Sequence, residues 1–236
     1  FYHIAWGSTG ENRNKSVILQ SKNIEYTMDA AWAAKELGCT RFIGAGSQAE
    51  YGPSDQEKIG PDTLENPVTP YGVSKLAAGK LSRIFCQELE MEWIWCRIFS
   101  VYGIYDKEST MVMTALRQFL NGEETAFTPA EQQWDYLYSK DAGRAMYLVG
   151  EKGKSGSVYC VGSGKSHRLR EYIYKIRDIA ACEAEPGIGK KSYPPHPVMH
   201  LCADIDSLTR DTGFVPQYGF SEGIEEMVQW LREKNK

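Results

Sequence analysis

The sequence is poor in the features that mark specialised protein classes. Its six cysteines, at positions 39, 86, 96, 160, 182 and 202, include no Cys-x-x-Cys pair. They sit in apolar company such as Trp95-Cys96 and Tyr159-Cys160, which speaks against a zinc framework or disulfide scaffold and for buried free thiols in a reducing cytoplasm. No apolar run approaches the roughly 20 residues of a membrane span, and even 93–102 is interrupted by Arg97. A basic block is missing as well: 27 Lys and Arg face 31 Asp and Glu, a net charge of -4. A nucleic-acid backbone is therefore an unsuitable partner. His167, His196 and His200 have no metal-ligand spacing, so no metal is expected. There is no internal repeat and no low-complexity segment. What remains, 236 residues with 42% hydrophobic and 25% charged content, is the profile of a soluble globular protein able to bury a sizeable core.

Apolar runs and helical periods alternate along the first half. Phe1–Trp6 reads as a buried strand, 17–37 as a helix stopped by Gly38, and Arg41–Gly46 as a second strand. A helix over 71–89 follows, with Leu76, Leu81, Ile84, Phe85 and Leu89 predicted to face inward, and it leads to a third strand over 93–102. Strands alternating with helices imply parallel pairing in an open α/β sheet. Beyond Gly103 the pattern predicts a helix at 110–120, a strand at 135–138, a helix at 141–149 and a strand at 157–161. The Pro-rich stretch 193–197 and a last amphipathic helix complete a smaller mixed lobe. The expected domains are 1–103 with 135–163, and 104–134 with 164–236.

Two glycine patterns resemble phosphate loops. Gly44-Ala45-Gly46-Ser47-Gln48-Ala49 matches G-x-G-x-x-A, but Gly52-Pro53 follows where a helix N-terminus would have to hold the pyrophosphate. Gly162-Ser163-Gly164-Lys165-Ser166 lacks the first glycine of a phosphate loop, since position 159 is tyrosine; it reads as a turn.

Chemistry concentrates at Tyr71-Gly72-Val73-Ser74-Lys75, which places a phenol and an ammonium on one helix face near its start. A cation beside a phenol favours the phenolate and brings Tyr71 toward proton exchange at neutral pH. Tyr-x-x-x-Lys is common on surfaces; its weight here comes from Ser47 and Phe99-Ser100-Val101-Tyr102-Gly103 at the ends of neighbouring strands, which converge on one crevice of a parallel sheet.

In this company the chain resembles the extended short-chain dehydrogenase/reductase family of NAD-dependent nucleotide-sugar epimerases, dehydratases and reductases. His3-Ile4-Ala5-Trp6 is similar to its His-Leu-Ala-Ala strand, 46–52 to its Ser-Ser-x-x-Val-Tyr-Gly loop, and 97–103 to its Arg-x-Phe-Asn-x-Tyr-Gly strand. Trp134–Asp141 is similar to Arg-Asp-Phe-x-Tyr-Val-x-Asp, and 203–205 and 213–216 echo its C-terminal segments. The resemblance implies a Rossmann-type doubly wound parallel sheet with a smaller substrate lobe. It implies catalytic Ser47, Tyr71 and Lys75, with Ala5, Trp6, Gly46, Tyr71, Lys75, Phe99, Ser100 and Val101 at NAD or NADP, and Gln48, Ser100 and Trp134 at the substrate. A cytoplasmic homodimer, built on a four-helix interface from 17–37 and 71–89, is also implied.

Departures from the family pattern narrow the chemistry. The 4,6-dehydratases carry Asp-Glu after the catalytic residue; Gln48 and Ala49 stand there and neither does acid/base work. A 4-epimerase or 4-keto reductase acting on a nucleotide-activated sugar is the expected activity. A non-catalytic NAD(P)-binding sensor on the same fold is the alternative. Ser100 replaces a substrate-binding Asn, Trp134 replaces an Arg, and Glu50 reads as a solvated loop carboxylate. His3 reads as a core histidine, and Gln20 and Asn23 as structural hydrogen-bonders. The family's glycine-rich turn is expected upstream of Phe1, in a segment on the order of 60 residues made of two βαβ units, without which poor folding is expected.

Overall fold

The computed structural model describes residues 1–10, 13–194 and 197–234; His196 lies outside them. In chain order the elements are β1 (Tyr2–His3), α1 (Val17–Glu36), β2 (Arg41–Ser47), α2 (Pro70–Glu88), β3 (Glu92–Ile98), β4 (Ser100–Tyr102), α3 (Met111–Leu120), β5 (Gln133–Trp134) and β6 (Tyr136–Tyr138). They continue with α4 (Ser139–Lys152), β7 (Val158–Val161), β8 (His167–Arg168), α5 (Leu169–Ile179), β9 (His200–Leu201), α6 (Asp206–Thr212) and α7 (Phe220–Lys234). A single 3-10 turn, Gln48–Glu50, follows β2.

One compact unit comprises Phe1–Phe99, Arg144–Val161 and Ala203–Val215. Its sheet runs β1-β2-β3-β7 with every pair parallel, as the alternation predicts. Two strand expectations are corrected. Instead of a buried strand over 1–6, only Tyr2–His3 pairs, at the edge of this sheet, and Ile4 is 62% exposed. The strand expected over 93–102 breaks at Phe99: β3 pairs with β2 and β7, and β4 pairs with β6 instead.

α1 starts on Ser16, whose side chain accepts from the Leu19 amide. It ends in a Schellman arrangement, with Gly38 N–H on Lys35 O, Cys39 N–H on Ala34 O and Gly38 at φ +73°. α2 starts on Thr69, whose side chain accepts from the Gly72 amide, with Pro70 in its first turn. The face it buries is not the one its apolar period predicts. Gly72, Ser74, Lys75, Ala78, Gly79, Ser82 and Cys86 are inside, while Leu81 is 46% and Ile84 56% exposed. The cause is Trp95 in the middle of β3. A Cβ on Gly44 would stand 2.1 Å, on Gly46 2.2 Å and on Gly79 2.9 Å from its indole, so β2 and α2 must be small where they meet it.

The second unit comprises Ser100–Gly143, Gly162–Cys202 and Pro216–Lys236. It holds the two-stranded β4-β6 pair and the small sheet β8-β5-β9. Its core gathers Tyr102, Leu116, Phe119, Ile173, Ile176 and Met227. The buried Asp135 carboxylate accepts from the amides of Ser163 and Gly164 at 2.8 and 3.1 Å. The turn at 162–166 therefore spends those amides on its own protein, as a turn does.

None of the six cysteines is in a disulfide. Cys86, Cys96, Cys160 and Cys202 are buried, whereas Cys39 and Cys182 are only half-buried, contrary to the expectation for all six. Burial pushes the thiols of Cys96 and Cys160 up to about 12. Among the described residues no helix is long and apolar enough to cross a membrane, and no cluster of His, Cys, Asp and Glu could hold a metal ion.

Candidate active site

Ser47 is the last residue of β2 and, at the same time, the cap of the turn that follows. Its side chain accepts from the Ala49 amide at 3.2 Å, and its own amide donates to Glu50 Oε1 at 2.8 Å. This reciprocal pair is a capping box. The first turn of α2 packs on the same loop, because a Cβ on Gly72 would stand 2.3 Å from the Ala49 carbonyl oxygen. That close approach delivers Tyr71 to Ser47. The serine side chain is a hydrogen-bonding neighbour of the phenol and favours its ionised form, although burial, the largest influence, pushes the Tyr71 pKa above its ordinary 10.0.

Lys75, one turn further on, is 4% exposed. Its Nζ donates to the Ala45 carbonyl at 2.6 Å and sits 3.7 Å from the centroid of the Trp6 indole, against 5.9 Å from the Tyr71 ring. Burial holds its pKa down to about 7, with the nearby Glu50 carboxylate working in the opposite direction. Lys75 is thus the more distant of the two cations about the phenol. The cation that lowers the Tyr71 pKa is Arg13, whose guanidinium lies 4.2 Å from the centre of the phenol ring.

The loop after β1 is held by α1. Trp6 Nε1 donates to Gln20 Oε1 at 2.9 Å, and Asn23 brackets Gly7, accepting from its amide at 2.6 Å and donating to its carbonyl at 3.2 Å. Gln20 and Asn23 thus have the structural role read for them. His3 is buried and bonded to Thr27 Oγ1 at 3.1 Å; because that hydroxyl donates to the Asn23 carbonyl, His3 Nε2 is the donor. Ala5 is exposed beside Trp6, Gly46 is buried in β2, and Gln48 is half-buried on the serine turn. Phe99 is buried with its ring 6.5 Å from that of Tyr51.

The other expected site residues belong to the second unit. Trp134 Nε1 donates to Ser100 Oγ at 2.8 Å, so the two substituted family positions are bonded to each other. Val101 stands opposite Leu137 in the β4-β6 pair.

Sequence reasoning missed Glu50, Arg97 and Arg13. Glu50 is fully buried, not solvated: besides the Ser47 amide it accepts from Trp95 Nε1 at 3.0 Å and Arg97 Nε at 2.7 Å. Arg97 in turn bonds Glu65, which pairs with Lys80 at 2.5 Å. Ser47-x-x-Glu50 carries the capping-box spacing, and an arginine inside an apolar strand demands an anionic partner; those two signals were available in the sequence.

Residues 1–162 match the model of the NAD-dependent epimerase/dehydratase family. Escherichia coli dTDP-glucose 4,6-dehydratase is 27% identical over 179 residues, covering 71% of this chain and 48% of that protein. The chain spans about half the length of that curated relative. A UDP-glucose 4-epimerase from Thermotoga maritima, solved with UDP-glucose, has the same fold with a TM-score of 0.90 at 20% identity, over 100% of this chain and 78% of that one. RMD from Pseudomonas aeruginosa, complexed with NADPH, aligns with a TM-score of 0.87 at 23% identity, over 97% of this chain and 80% of that one. From residue 1 to residue 162, then, the chain belongs to the NAD-dependent epimerase/dehydratase family.

Proposed function

We propose that this chain carries the catalytic centre of an NAD(P)-dependent enzyme that interconverts an alcohol and a ketone on a nucleotide-activated sugar, as a 4-epimerase or a 4-keto reductase. The observation that carries this reading is the convergence of Ser47, Tyr71 and Lys75 in one corner of the sheet, with Tyr71 delivered to Ser47 by the packing of α2. The same loop supports the choice within the family. Gln48 and Ala49 occupy the positions of the dehydratase carboxyl pair, and the nearby carboxylate, Glu50, is committed to Ser47, Trp95 and Arg97.

The residues present fit a dinucleotide. Lys75 carries three N–H donors and gives one to Ala45, which leaves donors for a ribose diol. Trp6 and Phe99 supply apolar surface. When bound, the nicotinamide supplies or receives the hydride. The chain's own part is the proton: Tyr71 Oη takes it from the sugar hydroxyl as the ketone forms and returns it on reduction, Ser47 Oγ hydrogen-bonds the reacting oxygen, and Lys75 gives its remaining donors to the ribose.

A homodimer is part of the proposal. Val17, Ile18, Tyr26 and Trp32 of α1, and Val73, Leu81 and Ile84 of α2, are exposed, apolar surface suited to a second copy of the same helix pair.

The test is product analysis by proton NMR with the full-length protein, UDP-glucose, and NAD or NADPH. Inversion at C4, or oxidation of NADPH in step with reduction of the corresponding 4-keto sugar, supports the reading. Accumulation of a 4-keto-6-deoxy sugar overturns it in favour of dehydration.

A further inference from the structure

The buried carboxylate beneath the catalytic loop belongs to no step of the proposed reaction, yet it touches the reaction's residues from below. Glu50 has no exposed surface, and both of its oxygens are committed: Oε1 to the Ser47 amide and Trp95 Nε1, Oε2 to Arg97 Nε. Its charge answers the buried Arg97 guanidinium, yet the same carboxylate also reaches up to the Ser47 amide and lies against Gly46, next to the Ala45 carbonyl that holds Lys75. Burying it is costly unless it is paired, and the pairing extends outward through Arg97 and Glu65 to Lys80 at the surface.

We propose that Glu50 is the positioning residue of the site, a buried anion that fixes Ser47 through its backbone amide and stands beneath the part of the site where the first turn of α2 and Lys75 meet the serine loop. The inference rests on the reading of Ser47, Tyr71 and Lys75 as the catalytic group, and adds to it a residue that touches neither sugar nor dinucleotide.

Charge reaches Glu50 from every side. Arg97 faces it from β3, with Glu65 of the 52–69 segment behind that guanidinium. Lys75 and Tyr71 feel it from α2, Arg13 acts on both of those, and Cys160 of β7 feels it from the far side of Tyr51. In this setting the anion favours the ammonium of Lys75 and disfavours the phenolate of Tyr71. Neutralising it moves both in one direction: Lys75 loses its proton at lower pH, and so does Tyr71.

Two variants separate the charge from the reach. Glu50→Gln keeps an oxygen for the Ser47 amide and removes the charge; Glu50→Asp keeps the charge and withdraws it by one methylene. In the full-length protein, NMR of lysine labelled with carbon-13 at Cε, with Lys75 assigned through Lys75→Arg, reads the ammonium without any substrate. In Glu50→Gln its titration is expected to move to lower pH by about one unit, and both limbs of the pH profile of kcat/KM should shift in the same direction. Glu50→Asp is expected to lose activity with the profile nearly unmoved. An unshifted Lys75 titration in a Glu50→Gln protein that melts as the parent does would overturn the role of Glu50 and leave the catalytic reading standing. Full turnover by Tyr71→Phe would overturn the catalytic reading, and this inference with it. Should Glu50→Gln not fold, Glu50→Asp decides: parental activity in a Glu50→Asp protein that melts as the parent does would overturn the positioning role.

Discussion

The ammonium of Lys75 lies 3.7 Å from the centroid of the Trp6 indole and 2.6 Å from the Ala45 carbonyl oxygen, so this cation is covered by an aromatic face and anchored on β2. The family pattern has alanine where Trp6 stands. Replacing Trp6 with alanine uncovers the ammonium, and because burial is the largest influence on it, its pKa rises from about 7 toward the ordinary lysine value of 10.5. Activity that needs the charged lysine is lost as pH rises through that pKa. The alkaline limb of the pH profile is therefore expected to move to higher pH in Trp6→Ala, and a limb that stays in place would detach Lys75 from the profile.

The same burial has a stability consequence of definite sign. Between about 7 and 10.5 the unfolded chain binds a proton at Lys75 that the folded chain does not, so this group makes stability rise with pH across that window. Below it the full cost of burying the ammonium is present. Lys75→Met, with similar length and no charge, is expected to raise the melting temperature at pH 6 by roughly 3 °C, with the gain shrinking as pH approaches 10, while activity disappears. Calorimetry at the two pH values checks both statements.

Gly46 is a close junction of Trp95 and Glu50. An alanine there would put its Cβ 2.2 Å from Trp95 Nε1 and 2.5 Å from Glu50 Oε1. Overpacking of this kind costs about 1–3 kcal/mol, measurable as a lower midpoint in urea. Gly10→Ala, where an added Cβ meets nothing within 4 Å, is the matched control expected to show little change.

The proposed dimer is tested on Trp32, which is 52% exposed and stacks on Phe85 of α2. Trp32→Glu places a charge in the middle of the apolar helix pair and is expected to convert a dimer into a monomer in sedimentation velocity. A parent protein that already sediments as a monomer would remove the dimer from the reading.

The order of strands and helices was legible in the sequence because parallel strands buried on both faces leave apolar runs between helical periods. The boundaries of α2 differ from their expectation by one residue at each end. Which side of α2 is buried was not legible. Hydrophobic period rewards Leu81 and Ile84, whereas the sheet side is set by the bulk of Trp95 and demands Gly79 and Ala78 instead. Ser47, Tyr71 and Lys75 were legible because they lie in motifs of fixed spacing. Glu50 was legible only in part: its capping-box spacing to Ser47 is local, whereas Trp95 and Arg97, the partners that explain its burial, stand 45 and 47 residues further along the chain. The break at Phe99 was not legible either, since Arg97 and Ser100 do not mark it in an otherwise apolar run and only pairing distinguishes β3 from β4.

The most direct measurement is steady-state turnover of Tyr71→Phe in the full-length protein, with circular dichroism and melting to show that the phenyl ring still fills its place. Loss of kcat on the order of a hundred- to ten-thousandfold, with the fold and dinucleotide binding retained, is the expected result. Turnover equal to that of the parent would show that the proton moves elsewhere and that Ser47, Tyr71 and Lys75 are not the catalytic group.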